Sequence, residues 1–319
     1  MDETRPATSP DSSATRRAAI VVALVANVAV AAAKAIAAAI TGSSALLAEA
    51  IHSVADSSNE VLLLVGARRA GRPADLRHPF GHGRYRYLYA FVVSLAVFWV
   101  GGVLSVIEGI NHVITKERIV DPPWAFGVLV LAAVLDGWSL RTTTRAWRGA
   151  KGALSWRRLV RDTKAPELIV VLLEDLGAII GVAIATAGLT LAVVTGDATW
   201  DALASIAIGL LLMAIGLVVN RETQSLIVGE AAAPDVVASI RDAILGTDGI
   251  EGIRELRTIH VGPDDLVVAA GVWVDAARHA TSISDSIEEA KRRVQAVVPF
   301  RTVVSIEPGV RDPASTILG

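Results

Sequence analysis

His52 and Asp56 stand four residues apart in LLAEAIHSVADSSNEVLLLVGA, a stretch otherwise apolar enough to cross a bilayer. On a helix that spacing sets an imidazole and a carboxylate one turn apart on one face. Each is costly to hold in hydrocarbon unless it meets a partner, a cavity or an ion. The pair therefore reads as half of a metal site on a transport path. The other half must come from another helix, because two groups on one turn cannot surround a cation. PELIVVLLEDLGAIIGVAIA supplies Glu174 and Asp175, adjacent acids deep in an apolar run. Neighbouring helical residues point about 100° apart. One of the two is expected to face His52 and Asp56, and the other a water-filled vestibule or a partner group. Asp136 is a further intramembrane acid, readable as a polar helix end or as part of the path. Asn27 and Lys34 read as interhelical glue and a snorkelling base, and Glu49 as a wet residue near a span end.

A second constellation lies in PADLRHPFGHGRYRY, where Asp75, His78 and His82 follow at spacings of three and four. Two imidazoles and a carboxylate suit a surface zinc site, against the plainer reading of solvated loop histidines.

The elements that must position these groups follow from the apolar runs. Hydrophobic residues make up 53% of the 319 and gather into stretches of about 20, the length that spans a bilayer. Six spans are expected, at 18–40, 45–67, 87–110, 124–138 (continuing as a more polar helix to 147), 166–194 and 202–219. Lys and Arg are retained on the cytoplasmic side. Arg16 and Arg17 precede the first span, six arginines lie between Arg68 and Arg86, and a basic run from Arg141 to Lys164 links spans four and five. The opposite links, TGSS, KERIVDPP and TGDATWD, are poor in bases. Both termini are thus expected in the cytoplasm, with the chain a multi-pass protein of the cell membrane.

After Arg221 the character changes. PDVVASIRDAILGTDG is an amphipathic helix ending at glycine; IRELRTIHV and LVVAAGVWVD are strand-like and parted by the turn signal GPDD. SISDSIEEAKRRVQAVV opens as a helix should, and RTVVSIEP is a last strand. The fold class is an α-helical membrane protein with six transmembrane helices and a small α+β (αββαβ, ferredoxin-like) cytoplasmic domain. The expected organisation is a disordered segment at 1–17, a transmembrane domain at 18–222, the cytoplasmic domain at 232–310 and a loose tail at 311–319. No signal peptide is expected, since the first apolar run continues as a full span.

At these residues the chain resembles the cation diffusion facilitator family of six-span metal–proton antiporters. The matching stretches are TGSSALLAEAIHSVADSSNE, HPFGHGRYRY, LLEDLGAIIG and the αββαβ tail. The resemblance implies that His52 and Asp56 are the second-span half of a transport site, that Asp175 is the acid of the fifth-span half, and that Asp75, His78 and His82 form a loop metal site. The usual fifth-span motif is His-x-x-x-Asp, but Val171 stands four before Asp175, with Glu174 the nearest substitute. The Glu-Asp pattern resembles the subgroup that includes the mitochondrial and nuclear zinc-transporter-like member. The small domain has only His260 and His279, so a binuclear metal sensor is not expected there, while a homodimer contact is.

The function implied is export of a divalent cation, zinc first, in exchange for protons. Manganese or iron(II) is the alternative, since a site with one imidazole and several carboxylates is harder. A metal sensor competes less well, having no need of acids in two spans. With no cysteine, disulfides and thiolate ligands are excluded. A metalloenzyme is disfavoured: no His-Glu-x-x-His occurs and nothing offers a nucleophile. No cofactor beyond the transported metal is required, and the partners are the cation, protons, the lipid bilayer and a second copy, not nucleic acid.

Overall fold

The computed structural model describes residues 27–115, 122–151, 164–275 and 277–310, with no side chains described at 146–151. The expectations for 1–17, the start of the first span, the bases in 116–121 and 152–163, and the tail from 311 lie outside the described residues.

The first described helix, α1, is Asn27–Thr41. Gly42, at φ 67°, ends it in the left-handed region that glycine adopts without penalty. Next come α2 (Ser44–Ala70) and α3 (Tyr85–Thr115), the latter with a π-helical stretch at Val97–Val103. Helix α4 (Pro122–Lys151) opens on two prolines, which lose nothing in a first turn whose N–H groups lack helical partners. Helices α5 (Pro166–Thr195) and α6 (Thr199–Val228) complete the set. By length and composition α3, the Pro122–Arg145 part of α4, α5 and α6 can cross a membrane. Helix α2 has 27 residues, about 40 Å, but Glu49, His52, Asp56 and Glu60 interrupt its apolar character. The expected six spans are thus matched by four helices of that kind among the described residues. Helix α6 also runs past Arg221, where a boundary was expected, and stops at Val228; Gly229, at φ 118°, follows.

Chain contacts define two compact units. One takes the helical segments up to Arg221 without 66–88; the other takes 66–88 together with Glu222 onward.

In the helical unit, α3 and α6 touch backbone to backbone. A Cβ on Gly209 would come within 2.7 Å of Gly102 O, and one on Gly109 within 2.8 Å of Ala202 O. At the start of α2, buried Asp201 of α6 accepts from Ser43 Oγ (2.7 Å), Ser44 Oγ (3.1 Å) and the N–H of Ala45 (3.2 Å). A carboxylate from a distant helix thus caps α2, complementing its unpaired first-turn N–H groups.

The second unit runs α7 (Pro234–Leu245), β1 (Ile250–Gly262), β2 (Asp265–Val274), α8 (Ala280–Val297) and β3 (Arg301–Gly309). The sheet order is β1-β2-β3, with β1–β2 antiparallel and β2–β3 parallel across α8. The central strand buries Leu266, Val268, Ala270, Val272 and Val274, the period-two face, against Ile240 and Ile244 of α7 and Ala290 and Val294 of α8. The serine start expected for α8 is replaced by His279, which caps it in extended conformation without a side-chain bond.

Two outcomes follow. Asp201→Ala strands three buried donors and should cost about 1–3 kcal/mol, read as a lowered unfolding midpoint of the detergent-solubilised protein. Gly209→Leu should wedge α3 from α6 and destabilise by at least about 1–3 kcal/mol, in the same assay.

Candidate metal centres

One face of α2 carries Glu49, His52, Ser53, Asp56 and Glu60, at helical spacings. Three further helices meet that face. Helix α1 brings Asn27, α4 brings Asp136 and Ser139, and α5 brings Glu174 and Asp175; together with Ser53, Asp56 and Glu60 they line a cavity of about 70 Å³. That is room for a few waters or for one partly hydrated cation. Five carboxylates border it, from Asp56, Glu60, Asp136, Glu174 and Asp175.

Both adjacent acids of α5 reach this cavity rather than dividing between it and a separate vestibule. Glu174 accepts a 2.7 Å hydrogen bond from Asn59 of α2, and Asp175 a 2.8 Å bond from Ser139 of α4. These bonds turn two neighbours on one helix toward a common space. Val171, at the position of the missing imidazole, also lines it and offers no ligand. His52 is 1% exposed and stands beside the cavity rather than on its surface. Its Nδ1 is 3.3 Å from Asp56 Oδ1 without a hydrogen bond between them, and both ring nitrogens and that oxygen are buried without one. His52 Nε2 faces Gly177 of α5, where a Cβ would stand 3.8 Å away, in ordinary van der Waals contact. The ligand atoms of His52, Asp56, Glu174 and Asp175 do not gather three together within 4.8 Å.

Two expectations are corrected here. Lys34 does not snorkel and Glu49 is not wet: both side chains are fully buried, paired at 3.0 Å. The Lys34 ammonium also donates to Ser53 Oγ (2.9 Å) and lies 3.6 Å from Asp136 Oδ2. A charge with no water must find opposite charge, and Glu49 and Asp136 supply it. Gly181 of α5 makes the room, since a Cβ there would overlap Glu49. Asn27 does act as interhelical glue, donating to Glu60 Oε1 at 2.8 Å. Of these partners, Glu60, Asn59, Ser53 and Ser139 were not singled out in the sequence. Their spacing from His52 and Asp56 along α2 was the available signal for Ser53, Asn59 and Glu60.

In the second unit the loop triad does converge. One ligand atom each from Asp75, His78 and His82 lies within 4.8 Å of the others, the one such group of three among the described residues. Asp75 Oδ1 accepts from the N–H groups of Arg77 (2.8 Å) and His78 (2.7 Å), folding the loop around its own carboxylate. The His78 N–H above all holds the Asp75 carboxyl below the usual carboxylate range, so it is charged and ready to bind a cation. His82 is mostly buried; its Nδ1 lies 3.2 Å from Pro73 O, and its Nε2 3.6 Å from Asp75 Oδ2. Donation from Nδ1 to that carbonyl would leave the Nε2 lone pair aimed at Asp75. The β1–β2 hairpin braces the loop: a Cβ on Gly83 would come within 2.8 Å of Gly262 Cα, and Arg86 pairs with Asp264 at 3.0 Å. Of the small domain's own histidines, His260 is buried edge-on against Phe300, and burial pulls its imidazole below the ordinary value.

Comparison with known proteins agrees with the transmembrane part of this picture. Residues 20–228 match the model of the cation efflux transmembrane domain. The mitochondrial proton-coupled zinc antiporter SLC30A9 of Xenopus laevis is 28% identical over 74% of this chain and 42% of its own length. Metal tolerance protein C4 of Arabidopsis thaliana is 24% identical over 70% of this chain and 49% of its own. The cation-efflux pump FieF of Serratia proteamaculans is 28% identical over 71% of each. The chain therefore spans less than half the length of the first two of these relatives. A solved MamM C-terminal-domain variant aligns with 24% of this chain at 20% identity and a TM-score of 0.23. The match over residues 20–228 is to a transport family and not to an enzyme family, and the chain belongs to the cation efflux family.

Proposed function

We propose that this chain moves a divalent cation, zinc first, out of the cytoplasm in exchange for protons. The observation that carries the reading is the single cavity onto which α2 turns Asp56 and α5 turns both Glu174 and Asp175. Asp56, Glu174 and Asp175 bind the cation, and His52, whose ring nitrogens have no competing hydrogen bond, adds the one imidazole. Metal ligands must be deprotonated, so cation and protons compete for the same groups and their exchange follows. The oxygen-rich donor set supports manganese or iron(II) as alternative cargo.

Around this site the chain forms six spans. The four apolar helices are joined by α1 and α2, where Lys34 and Glu49 pair with each other and Asp56 and Glu60 face the cavity instead of lipid. Basic residues flank the cytoplasmic ends, both termini lie in the cytoplasm, and the protein is multi-pass in the cell membrane. The transmembrane domain covers 18–222. The cytoplasmic αββαβ domain covers 232–310 and pairs two copies into a homodimer. Asp75, His78 and His82 hold a second cation in the loop, and the transported metal is the only non-protein group required.

In proteoliposomes with an inward proton gradient, zinc movement should fall at least about a hundredfold for Asp56→Ala and for Asp175→Ala, as expected for loss of a metal ligand. Wild-type rates in either would sink the assignment. Dissipating the gradient should stop net transport, and acidifying the loading side should weaken zinc binding. Zinc titration of the purified full chain should lose one binding event in His82→Ala and a different one in Asp56→Ala; a single shared loss would remove the loop site.

A further inference from the structure

Among the described residues, the transport reading leaves a buried cation unused. Lys34 lies in α1, outside the set of cation ligands, yet its side chain is fully buried against the α2 face that carries them. Its ammonium meets Glu49 Oε2 at 3.0 Å, Ser53 Oγ at 2.9 Å and Asp136 Oδ2 at 3.6 Å. Ser53 and Asp136 border the same cavity as Asp56, Glu174 and Asp175. Glu49 Oε1 and Asp136 Oδ2 are buried without a hydrogen bond, so without the ammonium both carboxylates would be open to an entering cation.

A cavity with this many carboxylates has an obvious fault as a transport site. A divalent ion attracted by all of them would bind tightly and leave slowly. Opposite unit charges about 4 Å apart attract by ~4 kcal/mol even at an effective dielectric constant near 20, so each additional carboxylate matters. We propose that Lys34 is the resident counter-cation of this site: it occupies Glu49 and Asp136 while Asn27 holds Glu60, so that the carboxylates left to an entering metal, beside the His52 imidazole, are Asp56, Glu174 and Asp175, and the metal can leave. The inference rests on the transport reading for its role in turnover, but not for its effect on binding.

Lysine suits the task. Its ammonium is a compact point charge with three donors, and here its three neighbours are two carboxylates and a hydroxyl. Glu49 and Ser53 are one turn apart on α2, so a single ammonium can bridge them. Gly181 keeps α5 from overlapping Glu49, which lets the pair sit inside the helix packing.

The test uses zinc alone on the purified full chain, by calorimetry, with proteoliposome transport in parallel. Lys34→Gln should tighten the zinc Kd about tenfold, a difference of ~1.4 kcal/mol, and lower both KM and maximal rate. Glu49→Gln leaves the ammonium uncompensated and should weaken zinc binding about tenfold, the opposite sign. The double variant Lys34→Gln, Glu49→Gln restores the net charge and should return Kd and KM toward wild type. A merely structural lysine would lower stability in all three without opposite shifts in Kd. Unchanged Kd in Glu49→Gln, or weakened binding in Lys34→Gln, overturns the inference. If Lys34→Gln does not fold, Glu49→Gln and the double variant decide it. A wild-type chain that binds zinc but moves none would overturn the transport reading, while the opposed Kd shifts would still test Lys34.

Discussion

Hydrocarbon offers no solvent to an ionised side chain, and that constraint organises the helical unit. Lys34, Glu49, His52, Asp56, Asp136, Glu174 and Asp175 lie in helices that are otherwise apolar. Each can be held there only by another polar group or by a cavity. The consequence is that α1, α2, α4 and α5 are fixed in rotation by polar contacts as well as by packing. Asn27 fixes α1 to α2, Asn59 fixes α2 to α5, and Ser139 fixes α4 to α5. Close packing of apolar faces would tolerate a small twist of any of these helices. A hydrogen bond of 2.7 or 2.8 Å between groups that are buried or partly buried does not.

The groups left without partners are as informative as the paired ones. His52 has no hydrogen bond at either nitrogen, and Asp56 and Asp175 each keep one buried oxygen without one. Buried polar atoms are usually satisfied, because leaving one bare costs a few kcal/mol. Their concentration around one cavity matches a site whose last partner is brought by its cargo. The loop triad differs in kind: its carboxylate is already satisfied by backbone N–H groups, which shape the loop before any ion arrives.

Much of this was legible from residue types alone. Charged groups inside apolar runs stand out, and so His52, Asp56, Glu174, Asp175 and the Asp75–His78–His82 spacing could be picked out without coordinates. The αββαβ order of the small domain followed from strand alternation and from Gly246 and the GPDD turn. What stayed hidden were the pairings. Lys34 alone reads as a snorkelling base, because its partner lies on another helix and nothing in either local pattern names it. Asp201 reads as an ordinary helix start, yet it caps a helix that begins 157 positions earlier at Ser44. The sixth helix runs on past the span expected at 202–219, although the two compact units divide at Arg221. The ETQSLIV that follows keeps good helix formers until Gly229 breaks the run.

The Asp201 cap has a mechanical meaning. It pins the first turn of α2 to α6 by three hydrogen bonds, while the rest of α2 is free of any such clamp to α6 among the bonds described. Once the bonds of Asn27 to Glu60 and of Asn59 to Glu174 are released, α2 is a rod held at one end and moves as a lever. Glu49 is about 5 residues from Ser44 and Asp56 about 12, so they lie ~7.5 Å and ~18 Å from the fulcrum. A tilt of roughly 10° would displace Glu49 by ~1.3 Å and Asp56 by ~3 Å at that rise per residue. The first shift is small enough for a flexible lysine to follow. The second exceeds a metal–oxygen bond length of about 2 Å, so the same swing that leaves the ion pair joined is long enough to take a coordination shell apart.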